Sequence, residues 1–278
     1  MRKKLLTRFA RTRWGKKVLA RTGRSLDDKQ WVFILGCYNS GTTLLQRLMQ
    51  VHPDIAVMPA EGVAFTDVVV RPEEYGWTRM WWKCVNNLRE DSDYSEAGAR
   101  RLRSQWSRLT DKPLAPYILE KSIVNVVHAP FYVNYFNQPK FIHLIRNGYA
   151  VSEGIRRKAV PSRWNNEVYT DKYPISLGAR QWVETLEAVD NLKQSGVQVL
   201  EVHYEDLAAE PDAMLAKIFK FLDLADHPVK VKELDWKVHG TKSKVKDMNS
   251  KSIQGLSQKD LDEVTLIAGE WLKKFGYK

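Results

Sequence analysis

The feature that most constrains this 278-residue chain is an apolar run, a turn bounded by glycines and an amphipathic helix, in immediate succession. Gln30 to Leu35 (QWVFIL) carries the aromatic and β-branched residues of a buried strand. Gly36 to Gly41 is predicted to be the turn, and Thr42 to Val51 the helix, which ends before a His-Pro pair. A strand that passes through a tight turn into a helix begins a βα unit, so an α/β fold is expected.

The turn has the composition of an anion-binding loop. Glycines let the backbone wrap around an anion, and the free N–H groups at a helix start attract phosphate. The spacing of Gly36 and Gly41 matches the Walker A pattern GxxxxGK[ST], but Thr42 stands in place of the lysine that a kinase or ATPase needs. The loop is therefore predicted to hold a phosphate without Walker-type metal chemistry. The simpler alternative, a Ser/Thr helix cap, leaves the two glycines unexplained.

Further strands alternate with amphipathic helices along the rest of the chain. The predicted strands are Ile55 to Met58, Tyr117 to Leu119, Lys140 to Ile145 and Val197 to His203. Helices are predicted for Tyr94 to Leu109, for Gly178 to Gln194, from Pro211 onward, and from a capping box at Ser257 to Gly276. This alternation predicts a parallel sheet that helices cover on both faces.

Two segments stand outside this alternation. Residues 62–113 are predicted to be a helical insertion in an α/β domain of residues 29–278. The tryptophans of this insertion either line an acceptor pocket or pack within the insertion; they are Trp77, Trp81, Trp82 and Trp106. Val229 to Lys251 is rich in lysine and weakly periodic, which predicts a loop.

The net charge of +11 comes almost entirely from the N-terminus. Residues 1–24 hold ten lysines and arginines and no acid, whereas the other 254 residues hold 34 bases and 33 acids. Residues 1–28 are therefore predicted to be a basic tail on a near-neutral body. The tail is either solvated and poorly ordered or drawn to an anionic membrane surface, and no nucleic-acid partner is expected.

Cysteine, histidine and hydropathy patterns exclude several classes of protein. Cys37 and Cys84 are too few for a disulfide framework or a cysteine-based zinc cluster, and the six histidines show no metal-ligand spacing. No apolar run is long enough to span a membrane, and no apolar segment of a secretory signal follows the basic N-terminus. We therefore expect a cytoplasmic protein without a metal, peripheral to a membrane if the basic tail binds one.

Several segments resemble those of sulfotransferases that use 3′-phosphoadenosine 5′-phosphosulfate (PAPS). FILGCYNSGTTLLQRLMQVHPDI is similar to the family's 5′-phosphosulfate loop, and FIHLIRNGYAVSEGIRRK to its 3′-phosphate strand, loop and helix. EVHYEDLAAEP resembles the Y-E-D-L-x-x-x-P segment, and HPDIAVMPAEG the stretch that supplies the catalytic glutamate of tyrosylprotein sulfotransferases. The resemblance implies a P-loop-like parallel sheet of about five strands flanked by helices. It also implies transfer of a sulfuryl group from PAPS to an acceptor hydroxyl of unknown class.

The resemblance further implies which residues bind the donor. Arg146 follows a predicted strand, at the end where ligands bind in open α/β sheets, and offers a planar fork to the 3′-phosphate. Tyr204 would line the nucleotide site. The alternatives are a surface ion pair for Arg146 and a strand-end aromatic for Tyr204. The loop residues that would hold the 5′-phosphate and the sulfonate are Asn39, Ser40, Gly41, Thr42 and Thr43.

Two more residues match the family's catalytic groups. Glu61 is the predicted base that takes the proton of the acceptor hydroxyl, and its alternative is a solvated loop glutamate. Lys121 would neutralise the charge on the leaving oxygen, and its alternative is a surface pair with Glu120. Transfer is expected to be in line and to need no metal, because cations and N–H groups stabilise the spreading charge.

The chain departs from the family pattern at two positions. Asn39 stands where the family usually has an arginine or lysine beside the sulfonate. Gly154 replaces a serine that binds the 3′-phosphate, and Ser152 is the predicted substitute. Two other classes of function therefore stay open. One is a non-catalytic nucleotide-binding protein, which the two departures favour, and the other is a P-loop kinase or NTPase, which the missing Walker lysine argues against.

Overall fold

Five parallel strands form the centre of the protein. The computed structural model describes residues 2–225, 227–228, 230–231, 237–238, 241–242 and 246–278. The sheet has the strand order β2-β3-β1-β4-β5. Its strands are β1 (Gln30–Gly36), β2 (Ile55–Val57), β3 (Tyr117–Glu120), β4 (Lys140–Ile145) and β5 (Val199–His203), and every neighbouring pair is parallel. The predicted α/β class and the parallel sheet of about five strands are confirmed.

Helices connect and cover these strands. The α-helices are α1 (Arg2–Ala10), α2 (Arg13–Thr22), α3 (Thr42–Met49), α4 (Val85–Glu90), α5 (Glu96–Trp106), α6 (Asn125–Tyr135), α7 (Gly148–Lys158), α8 (Ile175–Gln194), α9 (Tyr204–Ala209), α10 (Pro211–Phe221), α11 (Asn249–Ile253) and α12 (Gln258–Lys274). Short 3₁₀ helices span Gly62–Phe65, Pro72–Tyr75, Trp81–Cys84 and Pro161–Trp164. Two short strands, β6 (Lys237–Val238) and β7 (Thr241–Lys242), pair antiparallel. No helix of the described residues is long and apolar enough to cross a membrane.

Strand β1 is apolar without a break because its alternate side chains are buried on opposite faces of the sheet. Phe33 packs on one face of the sheet, where its ring stacks on Tyr132 of α6 at a centroid distance of 4.1 Å. Val32 and Ile34 pack on the opposite face with Leu45 of α3. A strand buried on both faces needs apolar side chains at every position, in contrast to the alternating pattern of a half-exposed strand.

Helix α6 was not predicted from the sequence. Its residues are apolar on most sides, and Pro130 lies inside it. A helix buried nearly all round lacks the amphipathic period that identifies a surface helix, and an internal proline is usually a sign of a break. The predicted loop at Val229 to Lys251 lies partly outside the described residues, as does His239. Its described part contains β6, β7 and the first residues of α11.

The N-terminal segment is folded. Helices α1 and α2 are joined through Thr12, whose Oγ1 accepts a hydrogen bond from the N–H of Gly15 at 2.9 Å. Helix α2 packs on α5 of the insertion, and Leu19 is only 2% exposed. Gln105 Nε2 donates to the carbonyl oxygen of Lys16 at 3.1 Å. Of the two alternatives for the tail, the poorly ordered one does not describe residues 2–22, which form α1 and α2 and pack on residues 62–113.

The basic side chains of this segment still face solvent, together with two apolar ones. Leu5 is 71% exposed and Trp14 is 68% exposed. The exposed basic residues are Lys4, Arg8, Arg11, Arg13, Lys17, Arg21 and Arg24. Exposed cations beside a tryptophan are compatible with an anionic membrane surface. Membrane contact of this segment stays a prediction.

Replacing Leu19 with alanine is expected to lower the free energy of unfolding by about 2–3 kcal/mol, because the change leaves a cavity between α2 and α5. Leu5→Ala is the matched control. Its side chain is mostly exposed, so the change should be within about 0.5 kcal/mol. Urea denaturation of both variants measures the difference. Equal, small effects would show that residues 2–22 do not pack on the body in solution.

Candidate active site

All five strands deliver residues to one cavity at their carboxyl ends. The cavity has a volume of about 1010 Å³. In sheet order, the residues that line it are Glu61 after β2, Lys121 after β3, the loop and α3 start (including Thr42) after β1, Arg146 after β4 and Tyr204 after β5. Carboxyl ends of parallel strands lie on one edge of the sheet, and ligands of open α/β sheets bind there. The structure therefore brings together most of the residues predicted from the sequence.

The loop after β1 leads directly into the N-terminus of α3. Gly41 has φ 97°, and a Cβ atom there would lie 2.7 Å from Cδ2 of Tyr204. Only glycine meets both demands, since it has no side chain and accepts a left-handed φ. Gly41 is the N-cap residue of α3, and no side-chain hydrogen bond caps the helix there. The first N–H groups of α3, from Thr42 and Thr43, therefore remain available to an anion.

Arg146 is held by three contacts. Its Nε donates to Oδ1 of Asn249 at 2.8 Å, and its Nη1 donates to the carbonyl oxygen of Asn39 at 2.7 Å. Its guanidinium carbon lies 4.4 Å from the ring centroid of Tyr204. Arg146 is 8% exposed, and burial lowers its pKa, an effect that nearby Tyr204 and Glu205 oppose. These contacts use Nε and Nη1, and Nη2 has no hydrogen-bond partner in the part of the chain that the structure describes.

Unsatisfied buried polar atoms cluster around this cavity. Asn39 Nδ2, Ser40 Oγ, Arg146 Nη2 and Glu153 Oε2 are buried and have no hydrogen-bond partner among the described residues. Buried polar atoms are normally paired, so several unpaired donors at one place indicate a polar ligand. Seven lysines and arginines but only three glutamates are among the described residues that line the cavity. An anionic ligand with several acceptor oxygens fits this donor set.

Glu61 and Lys121 form an ion pair inside the cavity. Lys121 Nζ lies 3.0 Å from Glu61 Oε1. The lysine side chain is 7% exposed, whereas that of Glu61 is 41% exposed. The two residues meet because β2 and β3 are neighbours in the sheet. The alternative of a surface pair between Glu120 and Lys121 is wrong, since Glu120 is fully buried.

Glu120 has a positioning role next to this pair. Its Oε1 accepts from the N–H of Gly62 at 2.7 Å, and its carboxylate also accepts from Ser122 and Asn125. Burial raises its pKa, and the hydrogen bonds from Ser122, Asn125 and Gly62 oppose that rise. Trp106 Nε1 donates to the carbonyl oxygen of Gly62 at 3.0 Å. The residue that follows Glu61 is thus held on both its N–H and its carbonyl.

Two residues predicted for the nucleotide lie outside the cavity lining. Ser152 is fully buried, and its hydroxyl donates to the carbonyl oxygen of Gly148 at 2.7 Å. The structure therefore contradicts the prediction that Ser152 replaces the family's serine, because its hydroxyl is already used inside α7. Ser40, within the loop, is 1% exposed, and its Oγ is one of the unpartnered atoms described above.

The tryptophans of the insertion do not form an acceptor pocket here. None of Trp77, Trp81, Trp82 and Trp106 is among the described residues that line the cavity. The other alternative was ordinary packing within the insertion. Trp106 fits it, because this side chain is fully buried. Trp182 of α8 is also a packing residue: it is 1% exposed, and its Nε1 donates to the carbonyl oxygen of Arg146.

The cavity also contains residues that the sequence analysis missed. Glu73 and Arg79 come from the insertion, and Lys158 from the end of α7. Burial raises the pKa of Glu73, and the nearby charge of Glu61 contributes to that rise. Burial lowers the pKa of Lys158, and Arg79 is the largest of the neighbouring charges that add to this effect. No pattern in the linear sequence connects these residues with the strand ends. Within the described ranges, no group of three histidine, cysteine or carboxylate residues could hold a metal ion.

Comparisons with known proteins agree with this arrangement. A model of the sulfotransferase family matches residues 31–228. Protein-tyrosine sulfotransferase 1 of Danio rerio is 24% identical over 233 residues, which cover 73% of this chain and 58% of that protein. The protein-tyrosine sulfotransferase of Drosophila melanogaster is 24% identical over 204 residues, which cover 69% of this chain and 38% of that protein. The chain thus spans less than two thirds of either relative.

A solved structure supports the fold independently. The sulfotransferase domain of the Synechococcus PCC 7002 olefin synthase superposes with a TM-score of 0.54 at 18% identity, over 87% of this chain and 96% of that one. At this identity the likeness concerns the fold. The family match extends from Trp31 in β1 to residue 228, beyond α10, and therefore includes every strand of the sheet and each strand end that lines the cavity. This chain belongs to the sulfotransferase family.

Proposed function

We propose that the protein transfers a sulfuryl group from PAPS to an acceptor hydroxyl. The observation that carries the proposal is the cation-rich cavity at the strand ends, where the buried donors Asn39 Nδ2 and Arg146 Nη2 have no partner among the described residues. PAPS carries a 3′-phosphate, a 5′-phosphate and a sulfonate, so it is an anion with many acceptor oxygens. PAPS therefore fits the hydrogen-bond donors of the cavity better than a neutral ligand would.

Residues at the two ends of the cavity suggest how PAPS would be oriented. The N–H groups at the start of α3 would hold the 5′-phosphate, because a helix N-terminus favours an anion. Arg146 would bind the 3′-phosphate through Nη2, which has no hydrogen-bond partner among the described residues. The ring of Tyr204 keeps the guanidinium in place. The loop and Arg146 are linked through the carbonyl oxygen of Asn39, which would fix the distance between the two phosphate sites.

PAPS supplies an activated sulfuryl group. In the reaction, the bond from sulfur to the bridging phosphate oxygen breaks while the acceptor oxygen bonds to sulfur. The products are a sulfate ester and adenosine 3′,5′-bisphosphate, and the acceptor proton passes to the Glu61 carboxylate. Lys121 would stabilise the charge that appears on the leaving oxygen. Its ion pair with Glu61 holds both groups at the mouth of the same cavity before a substrate binds.

The first acceptor class to test is the tyrosine phenol. The relatives described above are named protein-tyrosine sulfotransferases, and this chain spans only part of their length. Glu61 is the more exposed member of its ion pair, so an acceptor can approach its carboxylate from solvent. A phenol or an alcohol could donate its hydroxyl proton there.

The protein is expected to transfer radiolabelled sulfate from PAPS to a tyrosine-containing peptide, and to do so equally well in excess EDTA. The EDTA result follows because lysine, arginine and N–H groups carry the stabilising role. An acceptor panel of phenols, sugars and lipid alcohols runs in parallel. Tight binding of adenosine 3′,5′-bisphosphate without transfer to any acceptor would favour the non-catalytic alternative. Phosphate transfer that requires magnesium would favour the kinase alternative.

A further inference from the structure

The two departures from the sulfotransferase pattern, Asn39 and Gly154, are in contact with each other. A Cβ atom added to Gly154 would lie 3.0 Å from both Cβ and Cγ of Asn39. The side chain of Asn39 therefore occupies the space that a side chain at position 154 would need. Asn39 has φ 64°, a left-handed conformation that asparagine tolerates better than most residues. The two departures are best understood as one coupled change, which removes a cation from the loop.

The guanidinium of Arg79 lies against the side chain of Asn39. Arg79 is half-buried between the 3₁₀ helices Pro72–Tyr75 and Trp81–Cys84. Its Nη1 donates to Oδ1 of Asn39 at 3.5 Å, and its guanidinium carbon lies 5.8 Å from the ring centroid of Tyr38. Arg79 lines the same cavity as the start of α3 and the Glu61–Lys121 pair.

The guanidinium of Arg79 lacks a counter-ion in the part of the chain that the structure describes. No carboxylate of those residues lies within 4.0 Å of it. Lys158 faces the same cavity, and the charge of Arg79 helps to lower the pKa of that lysine. Two cations held near each other in a partly buried place repel, and a bound anion removes that repulsion.

The backbone conformation of Arg79 also indicates that this residue has a function in the cavity. Arg79 has φ 58°, which is uncommon for a residue with a side chain. Such conformations cost free energy and concentrate at functional sites, where the surrounding structure maintains them. Here the conformation belongs to the segment that brings Arg79 from the insertion to the loop.

We propose that Arg79 supplies, from the insertion, the positive charge that the phosphosulfate loop lacks at Asn39, and that it contacts the sulfonate during transfer. This inference rests on the proposed function. Asn39 then orients Arg79 through its amide oxygen, and Gly154 makes room for Asn39. A guanidinium at this place stabilises charge on the sulfonate oxygens more strongly as transfer proceeds, which raises turnover.

The test uses the full-length protein and the variants Arg79→Ala, Asn39→Arg and the double variant. Arg79→Ala should lower the single-turnover rate of transfer by about 100-fold, the typical cost of losing one donor to a developing anion. Affinity for adenosine 3′,5′-bisphosphate, which has no sulfonate, should change less than about threefold. The double variant should recover at least about tenfold of the lost rate, because it returns a cation to the loop.

Two readouts do not depend on turnover. Without acceptor, Arg79→Ala should weaken PAPS binding more than bisphosphate binding by calorimetry. The pKa of Lys158, measured by NMR with labelled lysine, should rise in Arg79→Ala because a repelling neighbour is gone. Arg89→Ala is the control, since Arg89 is an exposed arginine of the same insertion that does not line this cavity. It should match the wild type in every measurement.

The outcomes separate this inference from the proposed function. If the wild type is active and Arg79→Ala transfers sulfate at a rate within threefold of the wild-type rate, the proposed role of Arg79 is overturned. The proposed function is then left intact. Wild type that binds bisphosphate but transfers nothing would contradict the proposed function. In that case the calorimetric comparison of PAPS and bisphosphate still decides whether Arg79 contacts the sulfonate. Equal losses of affinity for both nucleotides would overturn the inference.

Discussion

Replacing Glu61 with glutamine is expected to lower the single-turnover rate of sulfuryl transfer by about 10²–10⁴-fold, the usual contribution of a positioned general base. The substitution keeps the shape of the side chain and removes its ability to accept the acceptor's proton. Adenosine 3′,5′-bisphosphate should bind within about threefold of the wild-type affinity, because the donors proposed for the phosphates lie on the loop and on Arg146. Rapid-quench kinetics and calorimetry on the same preparation measure both quantities.

The matched control is Glu73→Gln. Glu73 lines the same cavity, and burial raises its pKa, so it is a second carboxylate that could serve as the base. We expect its replacement to lower the rate by less than about tenfold, since Lys121 pairs with Glu61. If Glu73→Gln loses activity and Glu61→Gln does not, the assignment of the base must be exchanged.

Arg146→Ala should weaken binding of adenosine 3′,5′-bisphosphate by about 30- to 150-fold, which corresponds to about 2–3 kcal/mol for a charge-assisted hydrogen bond to phosphate. Binding of adenosine 5′-phosphate, which lacks the 3′-phosphate, should weaken much less. The reason for this difference is Nη2 of Arg146, which makes no hydrogen bond to the residues that the structure describes. Isothermal titration with both nucleotides gives the ratio of affinities directly.

Arg146→Lys separates charge from geometry. A lysine keeps the positive charge but loses the planar fork, so its bisphosphate affinity should fall between those of the wild type and Arg146→Ala. Arg146 also donates to the carbonyl oxygen of Asn39 and thereby supports the loop. If Arg146→Ala weakens both nucleotides to the same extent, the arginine acts through the loop and does not recognise the 3′-phosphate.

Local patterns in the sequence were sufficient for the sheet and the loop. A short apolar run rich in β-branched and aromatic residues and followed by a glycine turn is typical of a strand buried on both faces, and β1 is such a strand. Gly41 was found from its spacing, and its φ of 97° and the nearby ring of Tyr204 give the physical reason for it. Glu61, Lys121 and Arg146 were identified through the resemblance to the family, and they meet in the structure because strand ends on one edge of a parallel sheet converge.

Contacts between distant segments decided the rest. The basic N-terminus packs because α5 offers it an apolar surface, which no charge count could show. Ser152 is excluded from the site because its hydroxyl bonds to the preceding turn of α7. Arg79 meets Asn39 across 40 residues of chain, through an insertion without a regular period. Hydrophobic period and glycine spacing are properties of neighbouring residues. Which side chain of an insertion reaches the sheet edge depends on how the whole insertion packs, and only the tertiary structure contains that information.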